Sequence, residues 1–246
     1  MGPRRGFEEG RASVIEALEA RRLYTVVVTE GFPGFYEATG DDSDDVVTVS
    51  IDQAAATITV NGVTYGHASY LNIYGNGGND TISVSGSGGP PIGVGVQAGD
   101  GDDVVTITNV GGGVWGGPGN DHIELVDSSR GQAYGEDGAD QIILRGNCAD
   151  ADVRGGEGND TLNGQESTVP VVLYGDAGWD RLYGSPLGDI LDGGPGRDYL
   201  FGRDGDDQFY ARDGDLDYVI GGNGNDTLIG DETEMNISAV EVIIKP

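Results

Sequence analysis

The chain has 246 residues, 37% of them hydrophobic, with 46 glycines, 9 prolines and a single cysteine. Its 42 acidic side chains against 13 basic ones leave a net charge of −29, which argues against nucleic acid and anionic membrane as partners and points to bound cations or to a solvating acidic tail. The lone Cys148 excludes an internal disulfide and a cysteine-built zinc site, and no apolar run approaches the roughly 20 residues of a membrane span.

From the N-terminus, residues 1–23 read as a leader segment, a short helix or disordered, with Val14, Ile15 and Leu18 on one helical face. Within it, Ile15-Glu16-Ala17-Leu18-Glu19-Ala20-Arg21-Arg22-Leu23 resembles the Leu-Glu-Pro-Arg-x-Leu-Leu segment near the start of large bacterial surface proteins. Ala20 stands in place of the proline there, and Tyr24 in place of the second leucine. Residues 24–73 predict a β cap or imperfect coils, with strands at Tyr24–Thr29, Val46–Ile51 and Thr57–Val60. Asn61-Gly62 between Val60 and Val63 signals a two-residue hairpin. Gly40-Asp41-Asp42-Ser43-Asp44-Asp45-Val46-Val47 reads as a worn copy of the glycine–aspartate turn that dominates the middle of the chain.

Residues 74–230 repeat. Gly-x-x-Gly-x-Asp begins at Gly75, Gly116, Gly135, Gly155, Gly175, Gly193, Gly202 and Gly221, and each copy is followed two residues later by a large apolar residue, from Ile82 to Leu228. Looser copies end in Asp103, Asp189 and Asp217. The pattern resembles the repeats-in-toxin (RTX, haemolysin-type) calcium-binding family, whose nonapeptide is Gly-Gly-x-Gly-x-Asp-x-U-x with U a large apolar residue. The resemblance implies an all-β, right-handed parallel β-roll, a β-solenoid, with multiple Ca²⁺ ions held between successive turns. A final stretch, 231–246, alternates apolar residues over Asn236–Ile244 and predicts a capping strand.

Spacing orders the aspartates. They stand at Asp80, Asp103, Asp121, Asp140, Asp160, Asp180, Asp189, Asp198, Asp207, Asp217 and Asp226, so the gaps are 23, 18, 19, 20 and 20, then 9, 9, 9, 10 and 9. A coil of two nonapeptides is about 18 residues long. Asp80, Asp103, Asp121, Asp140, Asp160, Asp180, Asp198 and Asp217 therefore belong on one edge, and Asp189, Asp207 and Asp226 on the other. These eleven are the candidate metal ligands. Glycines permit the left-handed backbone of a tight turn, which turns carbonyls inward, and the aspartate adds a carboxylate. Ca²⁺ takes six to eight such oxygens. With strands about 4.8 Å apart, unneutralised carboxylates on neighbouring coils would repel by roughly 1 kcal/mol even in water. Ion binding and folding are thus expected to be coupled. The turn Arg212–Asp217 has lost its glycine pattern, which predicts a poorer site there.

No catalytic motif accompanies the repeat. His67 and His122 do not form His-Glu-x-x-His, and no Gly-x-Ser-x-Gly or phosphate-binding loop is present, so the chain reads as a non-enzyme. Asp213-Gly214-Asp215-Leu216-Asp217 begins like an EF-hand, but Tyr218 replaces its glycine and Gly224 its bidentate acid. Outward residues before each turn (Tyr74, Gln97, Trp115, Tyr134, Arg154, Tyr174) should form a largely aromatic strip that either shields the sheet or docks a cell-surface glycan or protein. The expected function is a secreted or cell-surface, bacterial extracellular, calcium-dependent structural or adhesion module. The alternative is a polysaccharide-binding or polysaccharide-modifying protein similar to the repeat module of alginate epimerases.

Overall fold

Alternation of apolar and polar residues yields strands with one buried face. In Thr81–Ser87, Ile82 and Val84 are buried between exposed Thr81, Ser83 and Ser85. The structure, a computed structural model, describes residues 26–87 and 92–230, and the backbone of a last strand, Val242–Ile244. The helix and the surface-protein-like segment expected within the first 23 residues lie outside the described residues, as does most of 231–246.

The described residues form an all-β parallel solenoid without a helix, so none is long and apolar enough to cross a membrane. Successive strands pass alternately to two sheets, of 12 and 11 strands. Tyr70–Gly77 lies in the first sheet and Thr81–Ser87 in the second, and Gly93–Asp100 returns to pair in parallel with Tyr70–Gly77. Eight revolutions of strand, turn, strand, turn run from Tyr70 to Asn223.

Both sheets end in antiparallel pairs at the N-terminal side. Val27–Phe32 pairs with Phe35–Thr39 in the first sheet, and the hairpin Thr57–Val60/Val63–Gly66 extends the second. Asn61 and Gly62 turn that hairpin with φ of 46° and 85°, the left-handed pair a tight hairpin needs. These strands cover backbone groups that the first coil would otherwise expose. At the other end, Val242–Ile244 pairs in parallel with Thr227–Gly230.

The core consists of columns of side chains, one residue per coil. In the second sheet one column runs Val47, Ile82, Val105, Ile123, Ile142, Leu162, Leu182, Leu200 and Val219, all fully buried. A second column, Val49, Val84, Ile107, Leu125 and Leu144, stops there, and the following strand has Gly164 two residues after Leu162. Val171 closes against Gly164, where an added Cβ would meet Val171 Cγ2 at 2.9 Å. Beyond this point each strand buries a single large apolar residue, such as Leu182, Leu191, Leu200 or Phe209.

Candidate metal centre

The repeated aspartates form two continuous ladders. Along the longer edge, the amide of each aspartate donates to Oδ1 of the aspartate one coil later: Asp80 to Asp103, Asp103 to Asp121, Asp121 to Asp140, Asp140 to Asp160, Asp160 to Asp180, Asp180 to Asp198 and Asp198 to Asp217, at 2.6–2.8 Å. On the opposite edge, Val171 donates to Asp189, Asp189 to Asp207 and Asp207 to Asp226, at 2.7–3.0 Å. The two sets are those that the spacing separates. Every one of the eleven is at most 2% exposed.

In eight of these carboxylates the ladder uses one oxygen and leaves the other over. Oδ2 of Asp80, Asp103, Asp121, Asp140, Asp160, Asp180, Asp198 and Asp207 is buried without a hydrogen-bond partner. Buried polar atoms are almost always paired, so a regular series of partnerless anionic oxygens is the mark of a cation site. The surrounding backbone fits one. A Cβ added to Gly116 would fall within 2.7 Å of the Gly135 carbonyl oxygen, and closer still to Asp121 Oδ2. Carbonyl and carboxylate oxygens from two successive turns therefore converge on one point, and only glycine leaves it open. The donor set, carboxylate plus carbonyl from a rigid turn, suits Ca²⁺.

Burial raises the carboxyl pKa values, the coil-to-coil amide bond lowers them, and neighbouring carboxylates raise them again. The balance is about 6 at Asp80, Asp103, Asp140 and Asp180, about 7 at Asp121, Asp160 and Asp207, and about 8 at Asp198. A chain carrying such groups near neutral pH favours either protons or a counter-cation.

Asp189 differs. Its Oδ2 accepts the Ser185 amide at 2.6 Å, and Oδ1 accepts the Ser185 hydroxyl at 2.9 Å as well as the Val171 amide. The turn Gly184-Ser185-Pro186-Leu187-Gly188-Asp189 thus saturates its carboxylate from its own chain. Asp45 has a similar bond from the Asp41 amide, 2.8 Å to Oδ2.

Sequence reasoning missed several members of the array. Asp45 is 1% exposed, and its amide donates to Asp80 Oδ1 at 2.7 Å, so the longer ladder begins one coil earlier. The signal was the worn copy around Ser43, which keeps Gly40 but has serine in place of the second glycine. A second ladder is built by the residue before each aspartate and runs the other way. Asn79 donates its amide to Asp44, Asp102 to Asn79, Asn120 to Asp102 and Ala139 to Asn120, at 2.8–3.1 Å. The recurrent Asn-Asp dipeptide would have revealed it.

The strip on the first sheet is in register: Tyr74, Gln97, Trp115, Tyr134, Arg154 and Tyr174 stand side by side on successive strands. Its rings lie along the sheet. Trp115 covers Gly113, where a Cβ would meet its ring, and sits 5.9 Å from the Tyr134 ring centroid. The Arg154 guanidinium stacks 4.1 Å over Tyr174.

The family model for the RTX calcium-binding nonapeptide repeat (four copies) matches residues 72–86, 151–167, 171–186, 184–215 and 216–232. Residues 72–232 carry RTX repeats. No curated protein matches it. Between the first two matched segments, the turns of Asp103, Asp121 and Asp140 keep the same ladder bond and the same partnerless Oδ2, so the RTX array continues unbroken through them. It is a calcium-binding repeat module in a β-solenoid.

Proposed function

We propose that this RTX chain is a secreted or cell-surface, calcium-dependent structural or adhesion module, not an enzyme, whose folding is coupled to ion binding. The observation that carries the reading is the column of buried, partnerless Oδ2 atoms. Asp80, Asp103, Asp121, Asp140, Asp160, Asp180, Asp198 and Asp217 would hold ions on the longer edge, and Asp207 and Asp226 on the other. Asp189 contributes less, because Ser185 already satisfies it. Bound Ca²⁺ supplies charge neutralisation and a cross-link between adjacent turns. Without it, the buried carboxylates oppose a fold with a slim core.

Affinity per site is expected on the order of the 10⁻⁴–10⁻³ M typical of extracellular modules. The chain would then fold where calcium is abundant and stay unfolded, and so exportable, where it is scarce. The aromatic strip supports the structural side of the reading, because Trp115 packs over Gly113 and against the Tyr134 ring. Far-UV circular dichroism during a Ca²⁺ titration, with Mg²⁺ as control, tests the proposal. A cooperative rise in β signal with calcium alone is expected; a spectrum already β-rich in chelator and indifferent to calcium would overturn the coupling.

A further inference from the structure

The turn Arg212–Asp217 breaks the repeat. Asp213 and Asp215 stand where the turn ending in Asp198 has Gly194 and Gly196, and in place of their two left-handed glycines there is one, Gly214, with φ of 91°. Its sequence predicts a weakened site, yet the structure shows a substitution of donors. Elsewhere on this edge, the amide of the second left-handed glycine donates to a main-chain carbonyl of the next turn. Gly101 donates to Pro118, Gly119 to Asp137, Gly138 to Glu157 and Gly178 to Pro195, at 2.8–3.0 Å. Gly196 instead donates to Asp213 Oδ2 at 2.9 Å. A carboxylate thus stands where the other gaps have a neutral carbonyl.

Asp217 meanwhile keeps the ladder bond, accepting the Asp198 amide at 2.8 Å. One carboxylate oxygen from each of Asp198, Asp213 and Asp217 lies within 4.8 Å of the others, and no other group of three acids converges in this way among the described residues. Asp198 is fully buried, and its Oδ2 has no hydrogen-bond partner. A carboxylate sealed from water beside two further carboxylates needs a proton or a cation, and a divalent cation offsets the charge of all three.

We propose that Asp198, Asp213 and Asp217 form a distinct three-carboxylate Ca²⁺ site, tighter than the remaining gaps and filled before them. The inference rests on the proposed binding of calcium by this chain. It is grounded in the rule that oxygen-ligand sites bind calcium more tightly as the charge count and rigidity of the donors rise. Asp213 raises the count, and its bonds from the Gly196 and Asp215 amides fix its carboxylate in place.

The test is isothermal titration calorimetry of the full chain with Ca²⁺, comparing the parent with Asp213→Asn, Asp213→Glu and Asp215→Asn. The parent is expected to bind a first ion at least tenfold more tightly than the rest. Asp213→Asn should lose that phase and leave the weaker ions in place. Asn retains an oxygen for the Gly196 amide, and circular dichroism in saturating calcium checks that the fold persists. Asp213→Glu restores the charge and should recover part of the tight phase, which keeps the test open if the Asn variant does not fold. Asp215→Asn makes the same change of charge in the same turn and should keep the tight phase. An unchanged first phase in Asp213→Asn, or an equal loss in Asp215→Asn, overturns the site while leaving the calcium reading intact. A parent chain that takes up no calcium overturns both.

Discussion

The first coils and the last are built differently from the same turn. Up to Leu144, the parallel strands of the second sheet bury at least two apolar residues each, and the edge away from the long aspartate ladder is filled with Val110, Ser128 and Cys148. That edge is closed by neutral donors: Ser128 Oγ donates to the Ile107 and Val126 carbonyls, and Cys148 Sγ to those of Leu125 and Arg145. Past Gly164 the second column is gone, strands shrink to three residues at Arg181–Tyr183 and Ile190–Asp192, and carboxylates occupy both edges from Asp189 onward. Charge enters where hydrocarbon leaves. A buried leucine or isoleucine is worth about 1.5–3 kcal/mol, so the wide coils have their own source of stability, whereas the narrow coils exchange it for oxygen clusters that need a cation.

Removing calcium should therefore divide the molecule. As calcium is withdrawn stepwise, hydrogen exchange is expected to lose protection across residues 181–228 at a higher free calcium concentration than across the strands from Val46 to Val126; simultaneous loss would erase the distinction between the halves. A smaller effect concerns pH. Metal-free, the carboxyls of Asp80, Asp103, Asp121, Asp140, Asp160, Asp180, Asp198 and Asp207 lie at about 6 to 8 in the fold, against about 3.9 unfolded. Between those values the folded state binds more protons, so metal-free stability should fall as pH rises from about 4 through about 8. Thermal melts of stripped protein should give a higher midpoint at pH 5 than at pH 8, and calcium should reverse the order; a flat metal-free profile would contradict it. The loss should be steepest in the narrow coils, which contain Asp198 and Asp207. Smallest of all, Ser128→Ala removes a neutral edge donor and should cost about 1 kcal/mol in denaturant unfolding. The number of bound ions should not change, since the carboxylates of that edge there, Asp127 and Asp150, are not buried.

Much of this was legible in the sequence because the repeat fixes three things at once. Apolar residues two places after each aspartate mark the inward columns, glycines mark the turns, and the change from gaps near 20 to gaps of 9 marks where the second edge becomes charged. What escaped was whatever breaks the pattern while keeping the geometry. Asp45 joins the ladder with Ser43 in place of the second glycine that flags its neighbours. Asp213 reads in one dimension as damage to a turn, and only its through-space position beside Asp198 reveals what it contributes. The strip's register could be read from spacing. That Trp115 lies flat could not, because the space it occupies is created by Gly113, which a one-dimensional pattern registers merely as another glycine.

The two edges also differ as pieces of mechanical construction. The ladder bond from Asp45 to Asp80 spans 35 residues and that from Asp103 to Asp121 spans 18, yet they measure 2.7 and 2.8 Å. The aspartate edge is a spine that sets the pitch of the molecule, and the far edge of the wide coils absorbs every difference in length. The Thr57–Gly66 hairpin is already one such excursion, carried with no displacement of the spine. Foreign loops grafted at Asp127–Gly131 or Gly146–Ala151 would likewise hang from a fixed frame, so this half of the solenoid is a rack on which peptide can be displayed at regular intervals.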